Sequence, residues 1–149
     1  MASREQEGVR LAKEMLRLSR SLRSQLKKVV KRSPIARREN EARLQERVSQ
    51  SLEAIDRTEP IDLARELVVL AERADIQEEI ARLEIHLDRL DEKIRQGGAV
   101  GRELEFLVQE CHREVTTMGN KSSDQGLSEL GVAMKTVVQQ MKEQLANVE

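Results

Sequence analysis

A chain of 149 residues with no Trp, no Tyr and a single Phe must build its core from Leu, Val, Ile, Met and Ala. Its length is one domain's worth, enough to bury most of the surface its unfolded form exposes. Charged residues make up 36% of the chain, the longest apolar run (Leu67 to Ala71) is far too short to span a bilayer, and the single cysteine excludes an internal disulfide. Met1-Ala2-Ser3 leads straight into charge, with no signal-peptide pattern. A cytoplasmic protein with no membrane partner is expected. The net charge of −1 conceals a polarity: Arg10 to Arg38 holds eleven bases against one acid, whereas Ile61 to Glu149 holds eleven against eighteen. Such a chain suits contact with a polyanion or head-to-tail pairing of copies.

The periodicity predicts an all-α fold of about five helices, long helical hairpins that form an oligomerising bundle. The first helix, from about Glu5 to Arg32, carries Leu11, Met15, Leu18, Leu22, Leu26 and Val29 on one face. Arg17, Arg20, Lys27 and Lys31 lie on the other, a stripe suited either to tracking RNA phosphates or to a solvated face that answers the acidic helices of a neighbour. Ser33-Pro34 is expected to end this helix and cap the next. The second carries Leu44, Val48, Leu52 and Ile55, and a break follows at Thr58-Glu59-Pro60.

The third, from about Ile61 to Arg95, changes register between Ala74 and Ile76, which predicts a bend. Gln96-Gly97-Gly98 stops it. A fourth helix over Gly101 to Lys121 has its stripe at Leu104, Leu107, Val108, Cys111, Val115 and Met118, and Gly119 is expected to end it. The only aromatic, Phe106, shares a different face with Gln109 and Arg113. Ser122 or Ser123 is the expected cap of the fifth helix, which carries Leu127, Leu130, Met134, Val137, Met141, Leu145 and Val148. The chain reads as one domain over 1–149, with a basic helical hairpin at 1–58 and a three-helix region at 59–149.

Two polar rows flank these stripes. Asp75, Glu79, Arg82 and His86 recur at i, i+4, i+7 and i+11, within a sector of about 60° at ~100° per residue. Glu110 and Glu114 make a second acid pair one turn apart. Carboxylates so placed repel, and Arg82 or a divalent ion must lie between them; an exposed Glu78–Arg82 ion pair is the plainer arrangement. Oxygen ligands from two helices, with one His, suit Mn or Mg better than Zn. Cys111 on an apolar stripe reads as a buried small hydrophobe.

Residues Gly101, Arg102, Phe106, Gln109, Glu110, Arg113, Glu114, Thr117, Gly119 and Lys121 resemble the C-terminal signature of the YicC family of bacterial proteins. Ala74-Asp75-Ile76 with Glu78, Glu79, Arg82, Leu83 and His86 matches an upstream block, Arg4 with Glu7-Gly8 the opening, and Glu143-Gln144 with Asn147-Val148-Glu149 the ending. Glu105, His112, Thr116 and Asn120 depart from the pattern, which has Asp, Asn, Asn and Ser there. The likeness covers the C-terminal half of a typical member, without the N-terminal domain. It implies a metal-dependent endoribonuclease that assembles into ring-like homo-oligomers around RNA. It further implies that Asp75, Glu79, His86, Glu110 and Glu114 hold a divalent ion, with Glu79, His86, Glu110 and Glu114 catalytic, and that Arg82, Arg102 and Arg113 hold phosphates. The competing expectation is a non-catalytic oligomerisation or interaction module, with Phe106 as an interface anchor and the RNA chemistry in the N-terminal domain that the likeness does not cover.

Overall fold

The phase of the apolar stripe, more than any local breaker, decides where these helices run. The computed structural model describes residues 2–54, 60–98 and 101–147. It contains α1 (Ala2–Ala54), α2 (Pro60–Ala74), α3 (Gln77–Gln96), α4 (Gly101–Lys121) and α5 (Gln125–Ala146), with no strand among the described residues. The all-α expectation holds, but the helices divide differently. The two-helix unit expected over residues 1–58 is a single helix as far as Ala54, running straight through Ser33-Pro34.

Two facts explain the continuity. Leu22, Leu26, Val29, Ser33 and Ala36 keep one spacing on both sides of the proline and are all buried, so the same face continues. Pro34 removes the partner of the Val30 carbonyl, but Pro34 is exposed and Val30 is 44% exposed, so water is at hand for the orphaned acceptor. The expected bend between Ala74 and Ile76 is a full break, where the Asp75 carboxylate accepts the Gln77 N–H at 3.0 Å. Ile55, Thr58, Glu59, Val100 and Val148 lie outside the described residues, as do the side chains of Leu52 and Leu63.

The first part of α1 packs against α3 and α5, α3 against α4, and α4 against α5, closing an antiparallel four-helix bundle. Its core holds Met15, Leu18, Leu22, Leu83, Leu87, Leu90, Val108, Val115, Met134, Val138 and Met141, each below 2% exposure. Polar bonds fix the register. Ser19 Oγ donates to Asp91 Oδ1 at 2.5 Å, Arg23 spans Asp91 and Asp88, and Gln77 Nε2 donates to the Ser33 hydroxyl at 3.2 Å. Past Ala36, α1 has no buried residue among those whose side chains are described, and it leaves the bundle. Its remaining 18 residues, about 27 Å at 1.5 Å per residue, pair with α2 to form a protruding arm.

Gly119 does not end α4, which continues to Lys121. The close approach of α4 and α5 is felt at buried Gly131, where a Cβ would meet the Gly119 Cα at 3.8 Å, whereas a Cβ on Gly119 would meet nothing within 4 Å. That distance is ordinary contact, and Gly131→Ala is expected to stabilise the fold by about 0.5–1 kcal/mol through helix propensity, read as a higher urea midpoint. The cap of α5 is Asp124, in place of Ser122 or Ser123: its carboxylate accepts the Leu127 N–H at 2.9 Å. Arg32 of α1 selects this residue by donating to the same carboxylate at 3.0 and 2.8 Å.

Candidate functional site

The two polar rows meet along the α3–α4 seam. These helices run antiparallel, with Lys121 Nζ 2.5 Å from Glu79 Oε1 at one end and Lys93 Nζ 3.0 Å from Glu103 Oε2 at the other. Between these pairs lie Glu114, which is buried, and His86, whose Nε2 is 3.9 Å from Glu110 Oε2. Glu79, His86, Glu110 and Glu114 are thus brought together along one seam.

Glu79 is only 3% exposed, and its counter-charge is Lys121. The same ammonium donates to the Asp75 carbonyl at 3.3 Å, which ties the end of α4 to the α2–α3 break. Arg82 forms the exposed pair with Glu78 at 3.2 Å, the plainer of the two arrangements expected of it, and is not the counter-charge of Glu79. Asp75 is exposed and its carboxylate serves the backbone of Gln77, away from the buried row. Lys121 matched the family signature, yet nothing in its spacing revealed that it would reach Glu79, forty-two positions away.

Three buried polar atoms in this region have no hydrogen-bond partner among the described residues: Glu79 Oε2, His86 Nδ1 and Thr116 Oγ1. Burial pushes the Glu114 carboxyl above its usual range; Arg82 and His86 oppose the rise, and the charges of Glu79 and Glu110 add to it. A carboxyl raised in the folded state stabilises the fold below the ordinary carboxylate value, and that contribution is lost as pH rises through the elevated one. Glu114→Gln is therefore expected to raise the melting temperature at neutral pH and to leave it unchanged in acid, a difference visible by calorimetry at the two pH values. Burial also pushes the Cys111 thiol up to about 12, with Asp91, Glu110 and Glu114 adding to the rise, so it is no nucleophile at neutral pH.

The remaining candidates lie elsewhere. Arg102 and Arg113 are exposed on the outward face of α4 beside Phe106, itself 62% exposed. On α1, Arg20, Lys27 and Lys31 are exposed, whereas Arg17 is bound to Glu14. Two bases of the same segment have structural work: Arg23 holds Asp88 and Asp91, and Arg32 holds Asp124 and Glu39. His112 lies apart from the acid row, and its pKa is lowered by burial and then by Lys142 and Lys135 of α5.

The candidate metal ligands do not assemble within one chain. Among the described residues no group of three or more His, Cys, Asp or Glu is placed to hold an ion. Nor is any helix among them long and apolar enough to cross a membrane.

Comparison with known proteins agrees with the family likeness of the signature helix. The family model for the C-terminal region of YicC-like endoribonucleases matches residues 29–149. A protein named probable endoribonuclease YicC from Clostridioides difficile is 31% identical over 146 residues, 98% of this chain and 50% of that protein. One of the same name from Haemophilus influenzae is 37% identical over 91 residues, 61% of this chain and 32% of that protein. The chain thus spans half or less of the length of these relatives, and it belongs to the YicC-like endoribonuclease family through that family's C-terminal region.

Proposed function

We propose that this chain takes part in RNA phosphodiester cleavage, with the α3–α4 seam as its acid–base centre. The observation that carries the reading is the apposition of the His86 imidazole and the Glu110 carboxylate, 3.9 Å apart, beside a Glu114 carboxyl that burial favours in its neutral form. An imidazole beside a carboxylate takes the proton from the hydroxyl that attacks phosphorus. As the new P–O bond forms, the bond to the leaving oxygen breaks, and a carboxylic acid returns a proton there. Exposed Arg20, Lys27 and Lys31 would add a sequence-independent attraction for the strand, and Arg82, Arg102 and Arg113 are further phosphate donors. The names of the relatives supply the substrate class.

A divalent ion, Mn or Mg, is an expectation of the family likeness. The ligand set does not fit an ion held by one chain, because Glu79 is already met by Lys121 and no three ligands converge among the described residues. No step here passes through an ion. Cleavage of a labelled RNA by the purified chain, with and without Mn, tests the reading. His86→Gln and Glu110→Gln are expected to lower the rate by about 10²–10⁴-fold while leaving the helical circular dichroism intact. Added Mn is expected to leave the melting temperature unchanged. A rise in melting temperature abolished by Glu79→Gln or Glu110→Gln would instead establish an ion among these residues.

One set of observations favours a second reading, a homo-oligomerisation module that does not itself cleave. Phe106, at 62% exposure, and Val68, Val69 and Leu70 of α2, at 56, 44 and 44%, leave apolar surface uncovered in the single chain. Sedimentation of the purified chain as an oligomer, with no RNA cleavage, would favour it.

A further inference from the structure

The arm and the α4–α5 turn enclose a groove that no motif in the sequence announces. It has a volume of about 530 Å³, and its polar lining comes from four segments, including Asn40, Arg47, Arg73, Asn120, Lys121 and Ser123. Among the described residues that line it there is no carboxylate, in a chain with 27 acids. Its three cations stand with amide and hydroxyl groups able to donate hydrogen bonds, which is the chemistry of an oxyanion site. Neither Arg47 nor Arg73 joins an ion pair among the described residues. Lys121 sits at the groove already oriented: two of its three donors are taken by Glu79 and the Asp75 carbonyl, which leaves one for a ligand.

A second hollow adjoins the first, sharing Asn40, Leu44, Arg47 and Ser123 and adding Arg43, Gln50 and one carboxylate, Glu46. Arg43 and Arg47 are one helical turn apart on α1, about 6 Å along the axis. Cations repeated at that interval suit an extended polyanion better than one small anion. Where the trough continues toward Asp124, the acids Glu41, Glu72 and Asp75 join the lining, so the anion site is its Arg47–Arg73–Lys121 end. No aromatic lies in either hollow, so a strand would be held by its backbone and not read by base stacking.

We infer that this groove holds phosphates of an RNA strand, and that Lys121 sets the held strand beside Glu79 at the end of the acid seam. The inference rests on the reading of the chain as an RNA-handling protein, and it assigns the phosphate contacts to Arg47, Arg73 and Lys121. Because Arg47 and Arg73 are exposed on the arm, their replacement spares the core.

The test is fluorescence anisotropy of a short labelled oligoribonucleotide across a salt series, with the whole chain. Arg47→Ala/Arg73→Ala is expected to weaken binding by tenfold or more at low salt, and to flatten the slope of log K against log salt by about 0.7 for each lost contact. Arg89→Ala/Arg95→Ala removes the same charge from exposed positions on α3 and is expected to change neither quantity appreciably. Equal losses from the two pairs would mean that binding follows net charge, and would overturn the groove. So would an Arg47→Ala/Arg73→Ala protein that binds as wild type; if it also cleaves as wild type, the seam reading survives alone. Competition by inorganic phosphate, at the same total phosphate as unlabelled RNA and with equal effect, would make this a small-anion site and overturn the strand assignment. Failure of the wild-type chain to bind RNA at all would remove both proposals.

Discussion

Lys121→Ala is expected to destabilise the fold by about 3 kcal/mol, more than deletion of the whole ion pair. The asymmetry follows from burial. Lys121 keeps 31% of its side-chain surface, while Glu79 keeps 3% and already has one oxygen without a partner. Removing the ammonium strands a buried carboxylate in the acid seam, where the charge of Glu114 is its neighbour. Removing both charges with Lys121→Ala/Glu79→Gln leaves a neutral amide, whose desolvation penalty is smaller. Urea denaturation of the four proteins in this cycle gives the answer. The double variant should recover much of the loss; if the two single losses simply add, the ion pair is not the counter-charge of Glu79.

Asp91→Ala is the second large effect, at about 2–4 kcal/mol. Asp91 is the carboxylate of α3 that Ser19 and Arg23 of α1 share, by bonds of 2.5 Å from the hydroxyl and 2.9 and 3.2 Å from the guanidinium. Ser19 is fully buried, so its hydroxyl has no water to turn to when the carboxylate is gone. Arg23 retains Asp88 and about a third of its exposure, and therefore loses less. Ser19→Ala in the Asp91→Ala background should add little further loss, because the stranded hydroxyl is then removed as well. The unfolding free energies of the single and double variants check this.

The stripes were legible because a period of 3.6 is written into composition: Leu83, Leu87, Leu90 and Ile94 are buried as their spacing requires. Three local signals misled, each because a tertiary contact outweighed it. Pro34 reads as a stop unless Leu26, Val29, Ser33 and Ala36 are seen to stay in phase across it. Gly119 reads as a terminator, but α4 runs on to Lys121, whose ammonium is held by Glu79 and the Asp75 carbonyl across the seam. Ser122, Ser123 and Asp124 are all competent caps, and Arg32, ninety-two positions away, decides among them.

At the site, the row of Glu79, His86, Glu110 and Glu114 was visible, since each pair is set by helical spacing and the hairpin joins them. The counter-charge was not, because Lys121 Nζ meets Glu79 only once α3 and α4 have been aligned end to end. The groove was hidden for the same reason: Arg47, Arg73 and Asn120 belong to three helices, and no window of sequence holds them together.

The continuity of α1 gives amide exchange in this protein an expected shape. One unbroken backbone belongs first to the bundle, where its apolar face is buried as far as Ala36, and then to the arm, where none of the described side chains is buried. Opening of the arm breaks few apolar contacts, so its amides should exchange at low free energy while those around Leu22 and Leu26 require global unfolding. The boundary should fall within a turn or two of Ala36, inside a helix that shows no break in its backbone. A strand seated at Arg47 would slow exchange across the outer turns of α1, so that occupancy is read from backbone protons rather than from any change of shape.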